Sequence, residues 1–411
     1  MRAFYSLGIV LYGLIIRLGS LWHLKARLWV NGRKNLLQKI EEDLNGEFGP
    51  CIWIHSASLG EFEQGRPLIE KLKEEYKDLR IILTFFSPSG YEIRKDYPLV
   101  DHVYYLPEDT PANARQLVKL IQPTLAIFIK YEYWYNYMNE LNKTQTPLIF
   151  ISSIFRPSQP FFKFYGGWFL KHLSNTTHFF VQNEASVKLL ISHGISQVSL
   201  SGDTRFDRVA EIASKVEPNA MVENFKANHS LLLAGSSWPE DEQLIQALAL
   251  SKPTLKIIIA PHLIDENHIQ QIESLFPNAV RYSQMHDQDP YSLQVLIIDN
   301  MGMLSSLYQY ADLAFIGGGF GAGIHNTLEA ATFGMPIFIG PNYHKFQEAK
   351  DLKDIGVLQV ADNQQALLEM VNQLLQTDSD LEYLSQRSKC YVQDHTGATE
   401  AILKYMVPLL K

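Results

Sequence analysis

Glu61 closes a run of mostly small residues, Ser56-Ala57-Ser58-Leu59-Gly60, that follows the apolar stretch 51–55. A carboxylate at the opening of a helix has two uses here. It accepts a proton from a reacting hydroxyl, or it completes a capping box with Ser58, three residues before it. A helix N-terminus favours the ionised carboxylate, which suits the first use. A second stretch is richer in glycine: Gly317-Gly318-Gly319, then Gly321, Ala322 and Gly323, then His325-Asn326-Thr327-Leu328-Glu329. Glycines leave the backbone free to approach a ligand closely. Asn326 suits an N-cap, Glu329 its capping-box partner, and Gly334 the C′ position of a short helix. Strand, glycine turn and helix N-terminus together make an anion site of aligned N–H groups. The turn lacks the Lys-Ser/Thr ending of a P-loop and does not follow the first strand of a domain, so it reads as a phosphate or nucleotide site of another kind. Glu329 is either a cap partner or an acceptor for ribose hydroxyls.

A third cluster, Lys130-Tyr131-Glu132-Tyr133-Trp134, stands just past the apolar run 125–129. Open α/β sheets place ligands beyond the carboxyl ends of their strands, and the alternative is a solvated loop with two packed aromatics. Asp287-Gln288-Asp289 has the Asp-x-Asp form of metal-dependent sugar-nucleotide sites. It lies in a polar loop before Pro290 rather than at a strand end, and reads as solvated. Cys51 and Cys390 lie far apart and make no metal-ligand pair or disulfide framework.

These residues need a scaffold, and the apolar runs supply one. Strands are expected at 51–55, 80–86, 103–106, 125–129, 148–152 and 178–182, and again at 230–234, 256–260, 295–299, 313–316 and 337–339. Helical stretches alternate with them, among them 111–121, 240–250 and 303–310, which implies parallel sheets covered by helices. A chain of 411 residues is long enough for two such domains. We divide it into an N-terminal segment 1–30, a domain over 31–210, a polar connection over 211–229, a second domain over 230–390 and a C-terminal helix over 391–411. The aromatic run Phe161, Phe162, Phe164, Tyr165, Trp168 and Phe169 is either ordinary core or an apolar binding surface.

Charge is unevenly spread. The net charge is −8, yet residues 1–39 carry seven basic side chains and no acid. So acidic a body argues against nucleic acid, whereas the basic head suits an anionic membrane surface. Residues 3–16 are an apolar run of fourteen, short of the roughly 20 needed to span a bilayer. No small-x-small cleavage site follows, and the basic downstream flank keeps the rest of the chain in the cytoplasm. The segment reads as a short signal anchor or an interfacial helix, against the alternative of a buried core helix.

Several motifs now fall into one order: His55-Ser56-Ala57-Ser58-Leu59-Gly60-Glu61, Glu132-Tyr133-Trp134, Gly202-Asp203-Thr204-Arg205-Phe206-Asp207, Gly235-Ser236-Ser237-Trp238-Pro239-Glu240-Asp241-Glu242, Ala260-Pro261-His262, Asp299-Asn300-Met301-Gly302, Gly317-Gly318-Gly319 and His325-Asn326-Thr327-Leu328-Glu329. In this combination the chain resembles the Kdo transferases, which move 3-deoxy-D-manno-octulosonic acid from CMP-Kdo onto the lipid A precursor, lipid IVA. The resemblance implies a GT-B fold, two Rossmann-like α/β domains facing across a cleft, with an N-terminal membrane-associated helix. It implies an inverting glycosyltransferase without metal or cofactor, on the cytoplasmic face of the inner membrane. It assigns Glu61 as general base, and Pro261, His262, Met301, Gly302, Met303, Asn326, Thr327, Leu328 and Glu329 to the CMP site. Ser58, Gly60, Glu132, Arg205 and Gly318 are its further substrate-binding candidates. The chain departs from the family pattern in four places. Pro261-His262 stands for Pro-Arg-His, Lys130 for an acid, Arg205 for Lys, and Ser152-Ser153-Ile154 for Asn-Ala-Arg. The rival readings are a UDP-sugar transferase or epimerase of the same fold, and a membrane-attached nucleotide-sugar binder without turnover; the intact Glu61 motif argues against the last.

Overall fold

The computed structural model describes residues 2–47 and 49–410, without the side chains of Asp287 and Asp378. Asp287, one of the two acids of the Asp-x-Asp run, ends a 3-10 segment (Tyr282–Asp287), and its side chain lies outside the described atoms. The apolar runs become two parallel sheets of seven strands. The first contains β1 (Cys51–Ser56), β2 (Arg80–Phe85), β3 (His102–Tyr105), β4 (Leu125–Ile129), β5 (Leu148–Ser153), β6 (His178–Val181) and β7 (Val198–Leu200). Their order is β3-β2-β1-β4-β5-β6-β7. β1 and β4 are buried at every residue, as expected of central parallel strands covered on both faces. Ile52, Ile54, Ile127 and Ile129 pack on one face, and Trp53, Ala126 and Phe128 on the other.

The second sheet holds β8 (Leu231–Ser237), β9 (Lys256–Pro261), β10 (Val280–Arg281), β11 (Val295–Ile297), β12 (Leu313–Ile316), β13 (Ile337–Ile339) and β14 (Leu358–Val360), in the order β10-β11-β9-β8-β12-β13-β14. The strand order reverses between β1 and β4 in the first sheet and between β8 and β12 in the second, where β10 and β11 are also exchanged at the edge. Crevices beyond the carboxyl ends of strands at such switch points are where open α/β sheets bind ligands. The strands beyond the sequence expectation are β7, β10 and β14. All three are short edge strands, partly exposed or with a polar middle, so they present no continuous apolar run.

The chain forms two compact units, residues 1–207 with 396–411, and residues 208–395. The stretch 211–229 is largely helical: Arg205–Ser214 runs into it, and Ala220–Lys226 buries Val222 and Phe225 behind an Asn219 cap. At the other end, residues 391–394 finish the helix Asp378–Asp394, and only Ala398–Met406 begins a new one. That last helix sets Ile402, Leu403 and Met406 into the core of the first unit. Its start is held by Asp207, which accepts the Gly397 N–H at 2.5 Å and the Thr399 N–H and hydroxyl at 2.7 and 2.6 Å.

The helix Arg2–Gly19 is long and apolar enough to cross a membrane, and only Gly13 of it is buried. Its outer stripe, Phe4, Leu7, Leu11, Leu14, Ile15 and Leu18, is open to solvent, with Phe4 75% and Ile15 67% exposed. Its inner stripe, Tyr5, Ile9, Tyr12, Gly13 and Ile16, turns toward the first unit. Arg17 pairs with Glu108 at 2.5 Å, and Arg33 donates to the Leu106 and Phe86 carbonyls, so part of the basic head is spent inward. The aromatic run is divided. Phe161 is core, whereas Phe164 is fully exposed and Tyr165 half-exposed.

Candidate active site

Glu61 sits in the first turn of the helix Leu59–Glu75, directly after β1. Its Oε2 accepts the Ser58 backbone N–H at 3.0 Å and the Ser58 hydroxyl at 3.3 Å, so the capping box is formed. Capping does not hold its pKa down, contrary to the expectation from the helix N-terminus. Burial first, and then the nearby Glu132 charge, raise the pKa, against the opposing pull of Lys130 and His55. Gly60, one residue earlier, is exposed, and a Cβ there would meet nothing within 4 Å. Packing does not require that glycine.

β4 pairs with β1, and Lys130, the residue after it, has φ +66°. Glu132, only 8% exposed, follows it. Its Oε2 accepts the Trp134 indole N–H at 2.7 Å and lies 3.0 Å from His55 Nε2. His55, fully buried on β1, places Nδ1 3.0 Å from the Thr84 carbonyl and 2.9 Å from its hydroxyl. The Oε1 of Glu132 has no hydrogen bond among the described residues. The segment 130–134 is therefore neither a solvated loop nor mere packing. Asp203, buried, accepts from Gln64 at 2.9 Å, Gln182 at 3.0 Å and the Arg205 guanidinium at 2.9 Å. Arg205 holds its carboxyl below the usual range despite burial, with Lys130 adding to the effect. Gln64 belongs to the helix that carries Glu61, so the Gly202–Asp207 motif is tied to that helix.

In the second unit, Trp238 directly follows β8, and His262 follows Pro261, the last residue of β9. Three rings stack there: Trp238 on His262 at 4.9 Å, and His262 on His325 at 4.3 Å. Trp238 Nε1 donates to His325 Nε2 at 3.1 Å, and burial lowers the His325 pKa to about 4, so this imidazole is a neutral acceptor. The glycine turn after β12 differs from its expected use as a ring of free N–H donors. The Gly317 N–H is spent on the Gly235 carbonyl at 2.9 Å, and the Gly318 N–H on Asp241 Oδ2 at 2.9 Å. Asp241 also takes the Trp238 N–H, and burial pushes its pKa up to about 6. The glycines are demanded by close packing: a Cβ on Gly317 would overlap the Ser236 carbonyl, and one on Gly319 would lie 2.5 Å from the Gly340 nitrogen. Gly318 also has φ +90°.

The helix after the turn is shorter than expected, Leu328–Phe333, and begins after Asn326 rather than at it. Asn326 Oδ1 still accepts the Leu328 N–H at 3.1 Å, and Gly334 closes the helix with φ +85°. Glu329 takes the Asn326 side-chain amide at 3.0 Å, in place of its backbone N–H, and the Ser305 hydroxyl at 2.7 Å. Six residues make a weak dipole, so the electrostatic case for this helix end shrinks accordingly. Met301 is 89% exposed, Gly302 turns the chain with φ +93°, and Met303 precedes the helix Leu304–Leu307 that carries Ser305.

The structure thus brings Ser58, Gly60, Glu61, Glu132 and Arg205 to the carboxyl edge of the first sheet. It brings Pro261, His262, Gly318 and Asn326 to Glu329 to that of the second, with Met301 to Met303 following β11. Sequence reasoning missed Gln64 in the first unit and Ser305 in the second, and it gave no role to His55, Trp238, Asp241 and His325 although each stands in one of the motifs. Strand order would have pointed to most of them, because they flank the two reversals. Among the described residues, no group of three or more His, Cys, Asp or Glu is placed to hold a metal.

Residues 26–208 match the family model described as 3-deoxy-D-manno-octulosonic-acid transferase (kdotransferase). The chain is 27% identical over 375 residues to the 3-deoxy-D-manno-octulosonic acid transferase of Rickettsia felis, covering 87% of this chain and 79% of that one. It is likewise 27% identical over 378 residues to the enzyme of that name from Haemophilus influenzae, covering 88% and 87%. Among solved structures, UDP-GlcNAc 2-epimerase from Neisseria meningitidis superposes with a TM-score of 0.60 at 15% identity, over 87% of this chain and 100% of its own. At that identity the likeness is one of fold.

Proposed function

We propose that the chain belongs to the 3-deoxy-D-manno-octulosonic acid (Kdo) transferase family and that it is an inverting glycosyltransferase moving Kdo from CMP-Kdo to the lipid A precursor, lipid IVA. The observation that carries this reading is Glu61, a carboxylate fixed at a sheet switch point beside a glycine that packing does not require. Glu61 takes the proton of the attacking lipid hydroxyl, which is a weak nucleophile until that proton is leaving. Its raised pKa makes it a stronger base than an ordinary surface carboxylate, while Lys130 favours the ionised form. Glu132, held through one oxygen, offers the other to a substrate hydroxyl. Arg205, held in place by Asp203, brings a guanidinium to the same edge, the group best suited to a carboxylate or phosphate.

The second unit holds the CMP. The stacked rings of His262 and His325 suit a flat base, and Glu329, preset by Ser305 and Asn326, accepts ribose hydroxyls. No metal or cofactor enters the proposal. The N-terminal helix lies on the cytoplasmic face of the inner membrane, its open apolar stripe in the lipid and Lys25, Arg27 and Lys34 at the headgroups. Purified protein given CMP-Kdo, or UDP-N-acetylglucosamine in parallel, tests the reading by nucleotide release and mass spectrometry of the lipid. CMP release that requires the lipid acceptor, with Kdo added to it, is expected. Consumption of the UDP-sugar with CMP-Kdo left intact would overturn the proposal.

A further inference from the structure

The inner face of the N-terminal helix is more elaborate than an anchor needs. Tyr5 donates its hydroxyl to Asp109 Oδ2 at 2.7 Å and accepts the Tyr135 backbone N–H at 3.3 Å. Asp109, only 2% exposed, spends Oδ2 on the Asn136 N–H and Oδ1 on the Tyr137 N–H, each at 3.0 Å. These amides open the helix Tyr135–Lys143, which starts one residue after Trp134. The Asn136 side chain closes the clasp on the Asp109 carbonyl at 2.5 Å and on Ser6 Oγ at 3.4 Å. The first N–H groups of a helix have no intrahelical partner, so whatever satisfies them fixes where the helix begins. Here that group is a buried carboxylate, itself gripped by a residue from the other end of the unit's sequence. Burial pushes the pKa of Asp109 up to about 6, and the Tyr5 hydroxyl is one of the bonds that offset the cost of its charge.

A second route runs through rings. Tyr12 stacks on Phe86 with centroids 6.2 Å apart and planes 25° apart, and Phe86 lies 4.9 Å from Trp134. Trp134 is the residue whose indole N–H holds Glu132. Both routes from the N-terminal helix therefore end on the turn that carries Glu132, one from its helical side and one from its aromatic side.

We propose that the N-terminal helix is a positioning element for transfer as well as an anchor: Tyr5, through Asp109, and Tyr12, through Phe86, fix the Glu132–Trp134 turn. The proposal rests on the Kdo-transfer reading above. Membrane binding uses the outer stripe and has no need of a tyrosine hydroxyl turned onto an enclosed carboxylate. Seating the helix on lipid and setting the turn are then one event, and Tyr5 and Tyr12 are positioning residues.

The test is Tyr5→Phe in the full-length protein, which keeps the ring and removes the hydroxyl. Three measurements are made: CMP release from CMP-Kdo with detergent-dispersed acceptor, sedimentation with phosphatidylglycerol–phosphatidylethanolamine vesicles, and amide hydrogen exchange at Asn136 and Tyr137. Expected are a kcat lower by roughly 10-fold, as small misplacements of a catalytic turn produce, an unchanged KM for CMP-Kdo, unchanged vesicle binding, and faster exchange at the two amides. Tyr12→Leu, which leaves Asp109 alone, is expected to lower kcat in the same sense with exchange at Asn136 unchanged; it decides the matter if Tyr5→Phe fails to fold. Wild-type kcat in either folded variant, or a fall in kcat that only tracks lost vesicle binding, would overturn the inference. A wild-type protein that leaves CMP-Kdo untouched would instead sink the transfer reading, and the exchange data would still report on the clasp.

Discussion

At the first switch point, β1 and β4 deliver Glu61, Lys130 and Glu132, with His55 and Asp203 behind them. At the second, β8 and β12 deliver Trp238 and the Gly317–Gly319 turn, with His262 and His325 stacked alongside. Both sites come from one architecture, yet their acids are used in opposite ways. In the first unit, burial and a like charge raise the pKa of Glu61, and a neighbouring cation opposes them. In the second, Asp241 is spent on the Gly318 and Trp238 amides and Glu242 on the Ser237 and His268 side chains, so these acids hold the scaffold in shape. Glycine divides the same way: packing demands it at Gly317 and Gly319, and places no such demand at Gly60. On the proposed reading, one switch point moves a proton and the other holds a flat ligand.

The largest effect expected from breaking this contrast belongs to Glu61→Gln. The change keeps the shape and the Ser58 cap but removes proton acceptance, so turnover should fall at least about 10²-fold. CMP-Kdo affinity and melting temperature should stay near wild type. Transfer at close to the wild-type rate would leave Glu61 with capping alone.

The glycines sharpen the comparison at the next size. Gly319→Ala forces a methyl against the Gly340 backbone and should cost about 1–3 kcal/mol of stability, seen as a lower melting temperature together with weaker CMP binding. Gly60→Ala should leave the melting temperature in place and reduce turnover only. If both variants melt alike, the distinction between a packing glycine and a ligand-facing one fails.

The smallest effect is a displacement of the pH profile. On the proposed mechanism transfer needs ionised Glu61, so activity should be lost as pH falls through its raised pKa. Glu132→Gln removes the like charge, lowers that pKa, and should move the acidic limb of kcat/KM to lower pH. Lys130→Met should move it to higher pH. A limb that stays put in both variants would show that these charges do not reach the base.

Much of this was legible in the sequence for physical reasons that also mark where legibility ended. Central parallel strands are apolar on both faces, so β4, β12 and β13 could be bounded to the residue from composition alone. Edge strands such as β7 and β10 have no such run, since half their surface meets solvent. Glu61 was found because a small-residue turn before a helix is a local pattern. His55 stands in the same motif but was given no role, because an imidazole near the end of a buried strand looks like core until β4 brings Glu132 beside it. The glycine turn was recognised, but not which of its N–H groups are spent: that depends on Asp241 and Gly235, far from the turn in sequence.

The return of the last helix to the first unit carries a consequence for synthesis. As the chain leaves the ribosome, residues 208–395 have everything their own core needs. The first unit, although begun earlier, lacks Ile402, Leu403 and Met406 until the segment after residue 395 emerges. Domains ordinarily fold in the order they are made. Here the earlier one must wait for the later, with an apolar notch over its sheet and Asp207 unoccupied by the Gly397 and Thr399 groups it will later hold. For that interval its apolar surface is open, at a time when the N-terminal helix, already complete, can find lipid.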